Sequence, residues 1–264
     1  MRGDPGGLTK LNVRDIDGYV QWRCAALGRR TIQTVTSNLR IFLRYLYESG
    51  ATVSALDRTV IGPRIYAYED IPSALRPADV EKVLEVTGRD LSAIGRRDYA
   101  MLMLLSTYGL RSGEVTALRL EDLDWRREVI RIRHAKTGTH SELPLLRACG
   151  EAILRYLQKG RPRSAHREVF LRACAPYQAF ARAASFYSLV QRRLTAAGVT
   201  PPGKKGPHAF RHARAVGLLR ASVPLKEIGD VLGHRSARST GAYLKLATED
   251  LRAVGLDVPS GVSP

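Results

Sequence analysis

Cysteine is scarce in this chain. Cys24, Cys149 and Cys174 are odd in number and far apart, so neither a disulfide framework nor a CxxC-type metal site follows from them. A reducing cytoplasm is the expected setting. Long apolar runs are missing too. Nothing reaches the roughly 20 residues of a membrane-spanning helix, and the start, Met1-Arg-Gly-Asp-Pro-Gly-Gly, has no hydrophobic leader core. A basic amphipathic helix with exposed aromatics, which a membrane surface would hold, is not evident. Nor is there an internal repeat at solenoid periods. Acidic side chains are few, 25 against 42 Lys+Arg, leaving a net charge of +17. Arginine far outnumbers lysine, which compositional bias alone would produce. Yet +14 of the +17 lies after residue 70, the pattern of a localised basic surface for a polyanion such as nucleic acid.

What is present suffices for two modest domains: 264 residues, 44% of them hydrophobic. The first nine residues, rich in glycine and proline, read as loose. Apolar residues at helical spacing predict helices over 13–27 and 31–48, the second ended by Ser49-Gly50. Pro63 and Pro72 bracket a connector, giving an N-terminal helical domain over 1–62, a linker over 63–73 and a second domain over 74–264. The second domain predicts helices over 76–86, 96–107 and 112–118. The period then changes to two at 128–134 and 142–145, with Thr137-Gly138-Thr139 as the turn of a hairpin. Helix is expected again over 149–158 and 186–197, a strand at 169–171, and helices from His208 onward after the basic loop Pro201-Pro-Gly-Lys204-Lys205-Gly-Pro207. The expected fold class is mainly α with a small β-hairpin or sheet.

Several polar residues stand where chemistry is conceivable, and each has an ordinary reading as well. Arg211 shares a helix face with Ala215 and Leu218; an arginine there needs an anion, a buried carboxylate or a path to water. Arg111 precedes a helix start, where backbone N–H groups and a guanidinium together suit phosphate. Glu114, three residues on, would hold it, as in any helix-start Arg–Glu pair. Lys136 sits at the mouth of the hairpin, and Arg131 and Arg133 on the strand before it face DNA or water. His234 follows Leu232-Gly233 at a helix end, where a histidine often satisfies carbonyls, and Tyr243 could be a packed tyrosine. His208 and His212 have the i, i+4 spacing of a helical zinc pair, but Ala209 stands where a zinc hydrolase carries glutamate and no third ligand is near. No metal is expected.

Order and context change the weight of the set. The segment Thr107-Tyr-Gly-Leu-Arg111-Ser-Gly-Glu114-Val-Thr-Ala-Leu-Arg-Leu-Glu-Asp-Leu-Asp-Trp125, then Lys136-Thr-Gly, His208-Ala-Phe-Arg211-His212, Leu232-Gly233-His234 and finally Tyr243 resemble the boxes of the tyrosine recombinase family, which includes phage integrases and Xer-type recombinases. The resemblance covers about residues 73–250 well and the preceding helices loosely. Ala213-Arg214 replace the family's small hydroxyl residue and aromatic, and Gly241-Ala242 before Tyr243 are smaller than usual. The family's DNA clamp is typically a four-helix unit, so 1–62 looks truncated beside it.

The resemblance implies a catalytic domain preceded by a small helical DNA-clamping domain, acting as a site-specific recombinase without metal or other cofactor. Tyr243 is the implied nucleophile, a phenol that is weak at neutral pH with a pKa of about 10. His208 is the implied base, Arg111 and Arg211 the phosphate clamp, His234 a further hydrogen-bond donor and Lys136 the acid for the leaving oxygen, with Glu114 in support. Expected DNA contacts are Arg131, Arg133, Lys204, Lys205, Arg214 and Arg235. The expected partners are double-stranded DNA bearing a recombination site and further copies of the chain, joined through a helix over 248–256. The expected location is the cytoplasm at the nucleoid. A catalytically inactive DNA-binding remnant of a mobile element is the alternative.

Overall fold

The computed structural model describes residues 6–66, 74–134, 138–180, 183–201, 203 and 205–233. The chain divides into two compact units, Met1–Glu69 and Asp70–Pro264. Among the described residues no helix is long and apolar enough to cross a membrane.

In the first unit a single helical turn, α1 (Gly6–Thr9), occupies part of the stretch that composition marks as loose. Helix α2 (Val13–Cys24) is set by a reciprocal cap: Asn12 Oδ1 accepts from the Arg14 N–H at 2.9 Å, and Asp15 Oδ2 accepts from the Asn12 N–H at 3.0 Å. Helix α3 (Arg29–Glu48) buries Leu43 and Leu46 against Ile16, Leu56 and Val60. Leu56 lies in a 3-10 turn, Leu56–Thr59. The segment after it is drawn onto α3 by Arg40, whose Nε and Nη2 both donate to the Val60 carbonyl, at 3.0 and 2.7 Å.

The second unit is built around α5 (Ala93–Tyr108). Ser92 Oγ caps it by accepting from the Gly95 N–H, and Ala100, Met101, Leu102, Leu104 and Leu105 are wholly buried. Four more helices surround or flank this core: α4 (Pro77–Gly88), opened by a first-turn proline, the short α6 (Ser112–Thr116), α7 (Arg147–Lys159) and α8 (Ala183–Ala196). The chain then continues through α9 (Pro207–Arg220) and α10 (Leu225–Val231). Between α6 and α7 lies an antiparallel sheet of β1 (Leu123–Asp124), β2 (Val129–His134) and β3 (Thr139–Pro144), in that order. The architecture is thus mainly α with a small sheet, as the periodicity predicts. Strand β1 is an addition, too short for its period to register.

One expectation needs correction. Val169, Phe170 and Leu171 are fully buried but form no ladder strand, only the isolated bridges Arg119↔Glu168 and Leu171↔Ala179. Arg161 takes the place of a neighbouring strand, its Nε donating to the carbonyls of Glu168 and Val169 at 3.3 and 3.2 Å. Burial made this segment apolar, and its backbone is met piecemeal rather than by a ladder: Arg161 takes carbonyls, the Val169 N–H donates to the Leu118 carbonyl at 2.8 Å and the Leu171 N–H to Tyr156 Oη at 3.3 Å.

Two polar ties hold the core helices in place. Tyr108 O–H donates to the Pro144 carbonyl at 2.7 Å and accepts from the Leu146 N–H at 2.9 Å, pinning the end of α5 to the end of β3. Burial pushes its phenol up to about 12. Asp98 on α5 is gripped by Arg97 at 2.8 Å and by Arg193 of α8 at 2.8 Å, with its side chain 1% exposed. Asp98→Ala takes the shared carboxylate from two arginines, leaving Arg193 with Asp90 and Arg97 with the Leu171 carbonyl, and is expected to lower unfolding stability by about 3 kcal/mol in urea titration, while Asp79→Ala, at an exposed pair with Arg76, changes it little.

Candidate active site

Helix α5 ends in a left-handed glycine, Gly109 at φ 66°. Helix α10 ends two residues before another, Gly233 at φ 61°. Helix ends leave carbonyls without partners, and here those carbonyls are taken by arginines. Arg211, reached by α9 and only 4% exposed, donates from Nη1 to the Gly109 carbonyl at 2.7 Å and from Nη2 to the Leu232 carbonyl at 2.5 Å. Arg111 donates from Nη2 to the next carbonyl, Gly233, at 2.8 Å. Two guanidinium groups from distant parts of the chain thereby meet consecutive carbonyls of one turn.

The approach is close enough to require both glycines. A Cβ on Gly109 would come within 2.7 Å of Leu232 Cδ2, and one on Gly233 within 2.6 Å of His134 Cε1. Helix α9 delivers Arg211 because its buried face runs through Ala209, Phe210, Ala215 and Val216, with small residues flanking the guanidinium stem.

Glu114 organises the other side. Its Oε2 accepts from the Arg111 backbone N–H at 2.7 Å, which caps α6, and its Oε1 accepts from Arg111 Nη1 at 2.8 Å. The same Oε1 lies 2.8 Å from His134 Nδ1, and His134 Nε2 lies 2.8 Å from Ser141 Oγ. With Nδ1–H donated to the carboxylate, Nε2 accepts from the serine hydroxyl. Burial alone would raise the Glu114 carboxyl, but hydrogen bonds from the Arg111 backbone, His134 and the Arg111 guanidinium outweigh it and hold the group below the usual carboxylate range.

Of the residues singled out from sequence, Arg111, Glu114 and Arg211 are thus brought together. His208 lies one turn before Arg211 on α9, exposed, its ring 6.2 Å from that of His212. Lys136, His234 and Tyr243 lie outside the described residues, as do Lys204, Arg235 and the 248–256 segment. The described neighbours of two of them are informative: His134 stands two residues before Lys136, and Gly233 immediately precedes His234.

Among the expected DNA contacts, Arg131 makes an exposed pair with Glu142 at 3.1 Å, and Arg133 binds Asp122, 1% exposed, at 2.6 Å. Lys205 is exposed in the loop before α9. Arg214 is half-buried, and its Nε is buried with no hydrogen-bond partner, an unusual state for a charged side chain. Among the described residues no group of three or more His, Cys, Asp or Glu is placed to hold a metal ion.

His134 and Ser141 were not singled out from sequence, although a signal for the histidine exists. Along β2, Ile130, Ile132 and His134 are buried and Arg131 and Arg133 point the other way. Alternation therefore puts a histidine on the inner face, where its nitrogens require partners.

The chain matches the phage integrase family over residues 73–250, and it belongs to that family, whose members are tyrosine recombinases. It is 56% identical over 189 residues to y4gC of Sinorhizobium fredii, assigned as an integrase/recombinase, covering 72% of this chain and 97% of that one. It is 30% identical to the tyrosine recombinase XerC of Rhodospirillum centenum over 262 residues, covering 96% of this chain and 74% of XerC. Two other curated relatives are longer, and the chain spans 61% of their length. In fold it is similar to the XerH site-specific recombinase, crystallised with a palindromic difH substrate. The TM-score is 0.76 at 18% identity, over 94% of this chain and 72% of XerH.

Because the folded Glu114 carboxyl sits below its ordinary value of 4.5, its contribution to stability is complete above that pH and is lost as the pH falls through the lowered value. Glu114→Gln is expected to destabilise the protein by roughly 2–4 kcal/mol at pH 7. The gap between the urea midpoints of wild type and variant should narrow between pH 5 and pH 3; a gap independent of pH would contradict the assignment.

Proposed function

We propose that this chain cuts and rejoins DNA strands at a specific site through a covalent 3′-phosphotyrosyl link, without a metal. The observation that carries the reading is the meeting of Arg111 and Arg211 on the consecutive Leu232 and Gly233 carbonyls. Two fixed forks beside each other suit the two nonbridging oxygens of one phosphodiester. They stabilise negative charge that grows on those oxygens in the pentacoordinate transition state, and they need no reorganisation at that moment.

In this reading the Tyr243 Oη attacks phosphorus and its proton passes to His208. The bond from phosphorus to the 5′-oxygen breaks, and Lys136 gives that oxygen a proton. His234 donates a hydrogen bond to the same phosphate. One phosphoester replaces another, so the link itself conserves the bond energy and no nucleotide cofactor is required. A 5′-hydroxyl from a second strand then reverses the step in a new partner.

Residues 1–62 act as a DNA clamp and 74–264 as the catalytic domain, joined by 63–73. Lys204, Lys205, Arg214, Arg235 and Arg131 contribute phosphate contacts, so binding weakens steeply with salt. The orphaned Arg214 Nε supports that role for Arg214. Copies assemble on DNA through residues 248–256, as their apolar spacing at Leu251, Val254 and Leu256 suggests. The protein works on chromosomal or mobile-element DNA in the cytoplasm.

The test is a nicked suicide duplex carrying a site the protein demonstrably binds. Wild type is expected to form a protein–DNA adduct that survives denaturation, and Tyr243→Phe to form none. Chelator should leave the yield unchanged. An inactive remnant would bind the duplex and give no adduct. Arg211→Lys cannot keep both carbonyl bonds and present a fork, and is expected to slow adduct formation by about 10²–10³-fold with duplex affinity nearly unchanged.

A further inference from the structure

We infer that His134 is a positioning residue for the strand-cleavage step, holding in register the three pieces of chain that carry the arginine clamp, the hairpin lysine and the second histidine. This rests on the reading of Arg111 as a phosphate clamp.

The case is geometric. The His134 ring is buried, 6% exposed, and three of its sides are in use. Nδ1 meets Glu114 Oε1, and Nε2 meets Ser141 Oγ across the hairpin, each at 2.8 Å. The Gly233 backbone lies so close that an added Cβ would fall 2.6 Å from Cε1 and 2.9 Å from Nδ1. Glu114 in turn fixes both the backbone and the guanidinium of Arg111, and Arg111 returns to Gly233 through its carbonyl. The circuit His134–Glu114–Arg111–Gly233–His134 therefore closes on itself. It joins the start of α6, the end of β2 and the turn after α10.

Three of the four corners of this circuit are, or lie within two residues of, a residue of the proposed chemistry. Arg111 is one corner, His234 follows Gly233, and Lys136 is two residues beyond His134. The Glu114 carboxylate could balance Arg111 without a histidine. With the imidazole present, the carboxylate that orients the guanidinium is held from two directions. Errors of about 1 Å in such groups lower rates by as much as roughly 10²-fold, so the ring acts on the rate while touching no DNA.

The test uses the full chain and the nicked suicide duplex, with single-turnover cleavage and duplex affinity measured separately. His134→Leu keeps bulk and loses both hydrogen bonds. It is expected to cleave about 10–100-fold more slowly with affinity within about twofold. His134→Asn, whose amide can stand in for Nδ1–H, is expected to recover most of that loss. Ser141→Ala, which leaves the Glu114 contact, is expected to lose less and serves if His134→Leu does not fold. On a duplex whose scissile phosphate is a methylphosphonate, one charged nonbridging oxygen is gone, and the His134→Leu defect should shrink.

Wild-type cleavage by His134→Leu, no recovery in His134→Asn, or a loss confined to affinity would overturn the inference. So would an undiminished defect on the methylphosphonate. Failure of wild type itself to form an adduct would instead remove the reading beneath it.

Discussion

The second unit depends on a buried guanidinium that joins two helix ends. Arg211 is almost wholly out of water, and removing an arginine from water is costly unless its donors are met. Helices α5 and α10 have the complementary need, since their last carbonyls lack intrahelical partners and carry the negative end of the helix dipole. Arg211 donates to Gly109 at the end of the one and to Leu232 at the end of the other, so each requirement meets the other. In both bonds the guanidinium faces carbonyl dipoles rather than a formal charge. Such anchoring fixes the position of the guanidinium through main-chain dipoles.

Arg111 is held by a different balance. A carboxylate, Glu114, faces it, but that carboxylate is shared with the Arg111 backbone and with His134. Sharing disperses the negative charge over several donors and keeps it ionised despite burial. The two arginines therefore differ in how they are anchored yet arrive at neighbouring carbonyls. The fold brings residues 111, 134, 211 and 233 together through short connections at the ends of rigid elements, so the geometry follows from packing of the α5 core rather than from the loops.

Much of this was legible in the sequence, and the unreadable part has a physical cause. Helical spacing located α3, α4, α7 and α8 to within a few residues, because each buries one face, and the continuous apolar run of α5 located the helix that is buried nearly all round. Period two located the hairpin. The two-residue β1 was invisible because two residues define no period, and 169–171 read as a strand because apolar composition reports burial, not hydrogen bonding. At the site, Arg111, Glu114 and Arg211 were recognisable as residues of interest through their order in the chain. The Arg111–Glu114 pair was legible too, but the partners of Arg211 were not: it is satisfied by main-chain carbonyls 102 and 21 residues away, and main chain has no sequence signature. Nothing in the sequence around Gly109 and Gly233 marks what opposes them. That each must also lack a Cβ for the opposing element to pack is a tertiary fact.

The excess positive charge is distributed by the same pairing that builds the fold. Pairing removes one arginine for each acid and so leaves the net +17 unchanged, but it decides where the excess faces outward. On β2, Arg131 and Arg133 project from the same face, yet they are not equivalent. The Arg131–Glu142 pair is exposed on both sides, and exposed pairs are weak enough, about 0–1 kcal/mol, for a phosphate to replace the carboxylate. Arg133 holds an Asp122 that is 1% exposed, and releasing it would leave a buried carboxylate bare. Arg133 therefore belongs to the scaffold and Arg131 to the surface. On α9 Arg211 is the buried residue and Arg214 the half-buried one, with a buried Nε that has no hydrogen-bond partner. A half-buried arginine with an unmet donor thus lies one turn along the helix from Arg211, where burial makes an unpartnered nitrogen costly.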